Sequence, residues 1–472
     1  MSSPFWGLRA AAIAGAALLS ACKTFSPDGG MDTVAVVAGQ ELNKDVLQVR
    51  SAEDAAYAHD AVGRLLGKPL SADAAVQVAL LNNLGLQAAY NRLGIAEAVA
   101  VQSSRPPVPS FSISRISTSL ELDIERQIVG SILSLVTLPA RAKIAASQFE
   151  QAQLRAAEET LRVAAETRRA YYRAVAARQL VAARSEAKAA AENAAQLTSR
   201  LEQTGAVNTL DQARRQVFAT EIETELMAGR QQEVATRESL TRLMGLLEAD
   251  ASAKLPGALP PLPSSPRTLR SVEQEAMDRR VDLQIARSEA ETLARSYGLT
   301  RKTHFINVLD AAGVSKTQKD TGGPSADGGG FEVAFEIPIY DFGRAKVREA
   351  EQRYLEAVNR LGAMAVNARS EAREAYGAYK ATHAIAAQYQ REVLPLRQSI
   401  ADQTLLQYNA MQVDAFTLLE AARASALAKV ASIESARNFW LASTDLSVAV
   451  LGGGGIGRQT LLTADSSGTA GD

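Results

Sequence analysis

Residues 331–368 change their hydrophobic period within a few positions, and this change restricts the possible folds more than any other stretch. The first part alternates apolar with mostly polar side chains, which predicts a strand with one apolar face. Its apolar residues are Phe331, Val333, Phe335, Ile337 and Ile339. Over 347–368 the apolar residues recur at alternating spacings of three and four, the seam of a coiled coil. Such a strand leading into a heptad helix is unusual in a soluble enzyme and suits a membrane barrel joined to a helical tunnel.

The composition and the absence of known motifs argue against several other classes. The 472 residues carry a net charge of −1 and no basic block, which argues against nucleic acid as a partner. The chain has no nucleophile elbow, P-loop or dinucleotide fingerprint, so we do not expect an enzyme. Its three histidines have no metal-ligand spacing and it has one cysteine, so we expect neither a metal site nor a cofactor.

The chain begins with a targeting segment. Arg9 precedes the apolar run 10–19, which is too short to span a bilayer as a helix. Residues 19–22 read LSAC and resemble a bacterial lipobox, a signal in which cleavage before the cysteine accompanies its lipidation. We therefore expect residues 1–21 to be a signal peptide and Cys22 to carry a covalent lipid. Lys23 follows, and by resemblance to bacterial lipoproteins this favours the outer membrane.

Turn, cap and proline signals divide the first half of the chain. Ser71 is a candidate N-cap of one continuous helix to about residue 104, which the prolines of 105–109 end. Two strands should follow within 110–138, the second over about 128–138. Pro139, an acceptable first helical residue, should then begin a long helix to about residue 204. A turn at 204–208 leads into a helix to about 247, and the Pro-rich segment 248–268 is interpreted as a linker rather than a packed element.

The second half repeats this order, with one continuous helix to about 297, a strand at 303–314, a flexible loop at 315–330 and the strand and helix described first. A turn at 410–413 and a last helix to about 451 follow. We expect Pro338, Asp341 and Gly343, like Pro139 in the first half, to mark the change from strand to helix. The expected divisions are the signal peptide 1–21, a lipidated lead-in 22–70, a first repeat 71–247, the linker 248–268, a second repeat 269–451 and a flexible tail 452–472.

Four strands in one chain cannot close into a barrel, and open sheet edges are not tolerated in lipid. The smallest bacterial barrels have eight strands, so closure requires further copies of the chain. Three copies would give twelve strands, and two copies are not excluded by this argument. Glu332 and Glu336 alternate against the apolar face of their strand and should then face a polar lumen.

The chain resembles the TolC-like outer-membrane efflux protein family over about 70–455. The resemblance rests on IPIYDFG at 337–343, on 86–96 followed by RPPVPSF at 105–111, on the turn at 407–411 with LLEA at 418–421, and on LGGG at 451–454. The internal repeat makes it more specific than any single motif. Met411 stands where the family usually has glycine, and Val108 stands where it has asparagine.

The resemblance implies a mixed α and β membrane protein, a trimer whose twelve-stranded β-barrel, four strands per chain, continues into a long α-helical coiled-coil tunnel in the periplasm. It also implies outer-membrane lipid around the barrel, and a periplasmic adaptor protein and an inner-membrane transporter as partners. In this family acidic residues at the periplasmic tip narrow the tunnel and favour cations. The matching candidates are Asn208, Asp211, Asp414 and Glu420, whose plainer interpretation is that of residues near the start of a solvated helix.

We therefore expect the outer-membrane channel of a tripartite efflux system that exports small molecules or metal ions. One alternative is a type I protein-secretion channel, which the sequence does not separate from efflux. The other is a periplasmic coiled-coil lipoprotein scaffold or adaptor. A scaffold has no need of four amphipathic strands, and an adaptor should carry a compact β domain within one helical hairpin, which the sequence does not show.

Overall fold

The computed structural model describes residues 24–119, 121–202, 209–247, 253–268, 271–320 and 323–453. It combines long helices with one four-stranded antiparallel sheet, so the expected mixed α and β class is confirmed. Within these ranges, no helix has both the length and the apolar composition to span a bilayer. The predicted signal peptide, Cys22, the turn at 204–208 with Asn208, and the tail after Gly453 lie outside the described residues.

Between residues 24 and 109 the described chain forms four helices. They are α1 (Asp32–Val37, continued by a π turn at Ala38–Leu42), α2 (Ala52–Leu66), α3 (Ala72–Asn82) and α4 (Leu84–Ser103). Neither α1 nor α2 was predicted from the sequence. Ser51 and Asp54 begin α2 with a capping box, in which each side chain accepts a hydrogen bond from the backbone N–H of the other. The Ser-x-x-Asp spacing of this box was a signal available in the sequence.

The rest of the described chain forms four strands and seven further helices. In chain order they are β1 (Ser110–Ser117), β2 (Glu121–Ser131), α5 (Ile132–Glu202), α6 (Thr209–Met244), α7 (Val272–Arg279), α8 (Val281–Thr303), β3 (Val308–Asp320), β4 (Ser325–Glu336), α9 (Arg344–Gln388), α10 (Leu394–Asn409) and α11 (Ala415–Leu451). A π turn at Tyr389–Val393 links α9 to α10, directly before Pro395 in the first turn of α10. Proline lacks the N–H group that a regular helix uses, so an irregular turn at this place is expected.

The first change from strand to helix lies before Pro139, which corrects the sequence-based boundary. β2 ends at Ser131 and α5 begins at Ile132, so Pro139 lies inside the helix. The Ser131 hydroxyl accepts a hydrogen bond from the backbone N–H of Ser134 at 3.4 Å, as the side chain of an N-cap does. This bond satisfies an N–H group at the helix start that would otherwise have no partner. Proline lacks an N–H group and provides no such bond.

The second hairpin is longer than the sequence predicted. β3 and β4 take up most of the expected loop 315–330, and only residues 321–324 separate them. Residues 328–330, three glycines, pair with residues 314–316. Ladder hydrogen bonds join backbone groups and need no side chain, so a glycine-rich segment forms a strand where its neighbour is long enough.

The chain divides into two compact units. One contains the sheet, with Asn91–Ala156 and Leu283–Met364; the other contains Val34–Tyr90, Ala157–Asp282 and the chain from Ala365 onward. In the second unit, the fully buried ring of Phe439 lies 5.4 Å from that of Tyr379 and 5.1 Å from that of Trp440, centroid to centroid. The contact between Phe439 and Tyr379 holds α9 against α11, and Trp440 packs beside it on α11.

In the second unit, both helix pairs that precede the strands are broken. Asn83 separates α3 from α4 and Arg280 separates α7 from α8, where the sequence predicted continuous helices. The amide of Asn82 donates to the Gly245 carbonyl at 2.7 Å, and the Arg280 guanidinium donates to the Ala449 carbonyl at 3.3 Å. Each break therefore satisfies carbonyl groups at the end of the long helix that closes the same repeat.

The described part of the Pro-rich linker, 253–268, is packed, contrary to the sequence-based interpretation. It has no regular secondary structure, and side chains of the surrounding helices bond its backbone groups. The Leu259 N–H donates to Gln179 Oε1 at 3.0 Å, Trp440 Nε1 donates to the Pro260 carbonyl at 3.1 Å, and the Arg267 N–H donates to the Tyr379 hydroxyl at 3.0 Å. A segment rich in proline lacks the donors to pair with itself, so its buried groups need such partners.

Candidate functional site

The sheet places its side chains on two chemically different faces. The strand order is β1-β2-β3-β4, and every neighbouring pair is antiparallel. Residues directly opposite each other in such a sheet lie on the same face, and successive residues of one strand lie on opposite faces. The register therefore assigns each strand residue to one side.

The first side, the apolar face, carries large hydrophobic side chains from all four strands. They are Phe111, Ile113, Leu122, Ile124, Ile128, Leu309, Phe331, Val333 and Phe335. The exposed fraction is 72% for Phe111 and 88% for Phe331, although both belong to residue types that are usually buried. A contiguous exposed apolar surface marks contact with a membrane or with another protein.

The second side, the acidic face, carries most of the carboxylates of the strands. They are Glu121, Asp123, Glu125, Asp310, Asp320, Glu332 and Glu336. Both glutamates that the sequence placed against the apolar face lie on this side. Glu332 Oε2 accepts a hydrogen bond from Gln127 at 3.1 Å, and Glu336 Oε1 accepts one from Asn307 at 2.9 Å. The acidic face is therefore polar and hydrogen-bonded from strand to strand, as the surface of an aqueous lumen would be.

Pro338, Asp341 and Gly343 lie together in the turn between β4 and α9. The carboxylate of Asp341 accepts hydrogen bonds from the N–H groups of Gly343 at 2.9 Å and Ala345 at 3.1 Å. These bonds, the one from Ala345 first, hold the pKa of Asp341 below its ordinary value. The Phe342 N–H donates to the Pro338 carbonyl at 2.7 Å. Asp341 thus caps α9 while Pro338 closes the turn before it.

The same turn is held against the end of α8. Gly343 has a φ of +71°, and a Cβ atom added there would lie 2.1 Å from the carbonyl oxygen of His304. His304 Nδ1 in turn lies 2.7 Å from the carbonyl oxygen of Phe342, to which it donates a hydrogen bond. The approach of two backbones leaves no room for a side chain, so position 343 requires glycine.

Asp414, one of the four tip candidates, is the N-cap of α11. Its Oδ1 atom accepts hydrogen bonds from the Thr417 hydroxyl at 2.6 Å and the Thr417 N–H at 2.8 Å. These bonds, the hydroxyl first, hold the pKa of Asp414 below its ordinary value of 3.8, so the exposed carboxylate is charged at neutral pH. Glu420 lies exposed on α11 and Asp211 lies in α6, whereas Asn208 is not among the described residues.

Two arginine–phenylalanine pairs, which were not predicted from the sequence, join α6 to α11 near this cap. Arg214 of α6 lies 4.8 Å from the ring centroid of Phe416 in α11, and Arg423 of α11 lies 5.9 Å from that of Phe218 in α6. Contacts of this kind contribute about 0.5–1 kcal/mol each at exposed sites. The spacing of four between Arg214 and Phe218 was a signal in the sequence, because it puts both on one face of a helix.

We expect Asp414→Asn to remove the negative charge at the start of α11 and to keep the helix cap. Asparagine caps helices about as well as aspartate, whereas Asp414→Ala should lower the free energy of unfolding by about 1 kcal/mol at pH 7. Because folding lowers the pKa of Asp414, its charge-dependent stabilisation is present above the unfolded value and is lost as the pH falls through the folded value. Unfolding of the three proteins at pH 7 and pH 3 measures this, and equal losses for Asn and Ala at pH 7 would contradict the capping role.

Met411, in the predicted turn at 410–413, has a left-handed backbone with a φ of +58° and is 93% exposed. A side chain in this conformation costs about 1–2 kcal/mol, and the greater freedom of glycine in the unfolded chain offsets part of that cost. We expect Met411→Gly to raise the free energy of unfolding by about 0.5–1 kcal/mol. Met411→Ala keeps the Cβ atom and is the matched control, expected to give no gain. A lower unfolding midpoint for the glycine variant would show that the turn is not strained.

Comparison with known proteins identifies the fold. No protein-family model matches the chain, and no curated protein matches it either. Solved structures, however, match the chain. The chain is similar to the CmeC outer membrane channel of Campylobacter jejuni, with a TM-score of 0.69, 16% identity and coverage of 89% of this chain and 92% of that one.

Two further outer-membrane proteins have the same fold. For VceC of Vibrio cholerae the TM-score is 0.65 at 16% identity, with 84% of this chain and 97% of that chain covered. For the MtrE outer membrane channel of Neisseria gonorrhoeae the TM-score is 0.67 at 15% identity, with 83% of this chain and 89% of that chain covered. In each comparison the similarity spans most of both chains. This chain therefore has the fold of the TolC-like outer-membrane channels.

Proposed function

We propose that this chain is the outer-membrane channel of a tripartite efflux system and exports small molecules or metal ions. The observation that carries the proposal is the four-stranded sheet with an exposed apolar face and an acidic face, in a chain with the fold of known outer-membrane channels. In lipid, a spanning sheet must turn an apolar face outward and a polar face toward a lumen. The sheet meets both requirements.

The edges of the sheet support a closed trimer. β1 and β4 each have one partner strand in the described chain, so each leaves one edge open. The number of strands is even and all pairs are antiparallel, so β4 of one copy can pair antiparallel with β1 of the next. Three copies close into a twelve-stranded barrel within the size range of bacterial outer-membrane barrels. The acidic faces of the three sheets would then line one lumen.

In a trimer with threefold symmetry, the three copies of each tip carboxylate would form a ring. Asp414 is charged and exposed, and Asp211, Glu420 and Asn208 are proposed to lie near it around a narrow neck. A ring of like charges in a narrow neck focuses the electrostatic potential and favours cations. The conduit is passive, and the energy for transport comes from the partner in the inner membrane.

The proposed partners are a periplasmic adaptor protein and an inner-membrane transporter, as implied by the family resemblance. We further propose that residues 1–21 are removed and that Cys22 carries the lipid that anchors the chain in the outer membrane. No further cofactor is part of the proposal. A periplasmic scaffold would leave the exposed apolar face of the sheet without a role.

The mass of the protein in mild detergent, from light scattering with the detergent contribution subtracted, tests the proposal. Three unprocessed chains of 50.1 kDa give a trimer of about 150 kDa. We expect this species and, after reconstitution in a planar bilayer, cation-selective conductance that Asp414→Asn weakens. A stable monomer would leave two open sheet edges and would contradict the proposed channel.

A further inference from the structure

The charges of the sheet are sorted by sign between its two faces. Among the described strand residues, the acidic face holds seven carboxylates and one cation, Lys316. The apolar face holds the opposite balance, with Arg115, Arg126 and Lys319 against the carboxylate of Asp327. A lumen accounts for the acidic face, but it does not explain why cations occupy the apolar one.

The three cations are also sorted by height along the apolar face. Residues that lie opposite each other across the four strands form a row. The apolar face carries no charge in the row of Phe331, Gly313, Ile128 and Phe111, and none in the rows nearer the helices. The next three rows toward the hairpin turns contain one cation each. They are the rows of Arg126 with Ile113 and Ser315, of Arg115 with Ile124 and Thr317, and of Lys319 with Leu122 and Ser117. Rows on one face are about 6.8 Å apart, so the cations form a band about 14 Å high next to the turns.

The cations of this band are exposed, and no ion pair joins them to another described residue. Arg126 donates a single hydrogen bond to the Thr317 hydroxyl at 3.3 Å, within the band itself. Within one chain, Asp327 is in the row of Arg115 but on the opposite edge strand, about 14 Å away at a strand spacing of 4.8 Å. Lys316, on the acidic face at the same height, is by contrast paired with Asp123 at 3.1 Å.

We propose that Arg115, Arg126 and Lys319 bind the phosphate groups of membrane lipids around the turn end of the sheet. The inference rests on the proposed channel, whose apolar face meets lipid. Lys and Arg on a lipid-facing surface are costly at the bilayer midplane and nearly free of cost at the interface, which places this band among the headgroups. There, guanidinium and ammonium groups complement phosphate, and arginine does so with paired hydrogen bonds.

The ligand class follows from the position of the band. The turns lie at the end of the strands away from the helices, so in the proposed orientation they face the cell exterior and the band lies in the outer leaflet. Three cations per chain in one band fit a lipid that carries more than one phosphate, such as a diphosphorylated glycolipid. In a trimer, the band of each chain adds to a basic belt around the barrel.

Lipid binding to the purified trimer in phosphatidylcholine nanodiscs tests the proposal, with diphosphoryl lipid A titrated in and bound lipid counted by native mass spectrometry. We expect diphosphoryl lipid A to bind in preference to its dephosphorylated form. The variant with Arg115→Gln, Arg126→Gln and Lys319→Gln should bind it about a hundredfold more weakly, at about fivefold per cation. Lys316→Gln, the matched control on the other face, should bind like the wild type.

A second variant tests whether weaker binding by the glutamine variant comes from its lost charges or from a loss of folding. Arg115→Lys with Arg126→Lys keeps all three charges, and we expect most of the binding to return. Unchanged binding by the glutamine variant, equal binding of dephosphorylated lipid A, or full competition by inorganic phosphate would each overturn the lipid-phosphate assignment. A wild-type chain that enters the discs as a trimer but shows no preference overturns this inference alone; one that forms no trimer overturns the proposed function as well.

Discussion

Val333→Arg is expected to prevent stable insertion of the chain into the outer membrane. Val333 lies in the uncharged part of the apolar face, between Phe331 and Phe335, and is 50% exposed. An arginine on a lipid-facing side near the bilayer midplane costs about 2–4 kcal/mol, so the three copies of the proposed trimer would lose roughly 6–12 kcal/mol. The measurement is the amount of trimer that resists extraction of the membrane fraction with urea.

Ala334→Arg is the matched control, because it introduces the same charge one residue further along the same strand. Ala334 lies on the acidic face directly opposite Asp310, so the new arginine meets a carboxylate and, in the proposed channel, an aqueous lumen. We expect a normal yield of inserted trimer from this variant. Equal insertion of both variants would mean that the apolar face does not meet lipid, and failure of the Ala334 variant alone would mean that the two faces are assigned the wrong way round.

Gly343→Ala is expected to disrupt the junction between β4 and α9. The new Cβ atom would need to occupy the space 2.1 Å from the His304 carbonyl oxygen, and alanine would need to adopt a φ of +71°. The left-handed backbone and the forced displacement together cost about 2–5 kcal/mol in each chain. Because backbone atoms oppose the methyl group, a change of rotamer cannot relieve the contact. Heat unfolding in mild detergent, followed by circular dichroism, measures the loss.

Gly362→Ala, in α9 and therefore close along the chain, controls for the substitution itself. An added Cβ at position 362 meets no atom within 4 Å, and a helical glycine is less favourable than alanine by about 0.5–1 kcal/mol. We expect this variant to be slightly more stable than the wild type. If Gly343→Ala unfolded at the same temperature as Gly362→Ala, the tight approach between the turn and His304 would not exist in the protein.

Much of the fold could be predicted because its signals are local. The two-residue period of 331–336 and the heptad spacing after Gly343 follow directly from backbone geometry, so the second half of β4 and the start of α9 were found. The predicted strand residues Ile337 and Ile339 lie beyond the end of β4. Ser71 was found as an N-cap for the same reason, since its hydroxyl accepts from the Ala74 N–H three residues later. Errors arose where a strong local signal was overvalued, as with Pro139, or a weaker one was overlooked, as with Ser51.

The remaining errors concern residues whose conformation depends on partners far away in the sequence. The glycines of 328–330 form a strand because β3 lies beside them, and the helices break at Asn83 and Arg280 where long helices of the same repeat end. The linker 253–268 is ordered by side chains of α5, α9 and α11. None of these partners lies within the window in which helix, strand and turn signals act.

The sequence by itself determined which side chains of each strand share a face, because alternation along a strand is a property of the backbone. It also determined the order of the strands and long helices and their repetition, and the residues of the turn at Asp341 and Gly343. Only the tertiary structure decided the register between strands, since that depends on which residues of separate segments meet. The register brings the carboxylates onto one face and aligns Arg115, Arg126 and Lys319 in a band on the other. Those residues are up to 204 positions apart in the chain, a separation at which sequence periodicity carries no information.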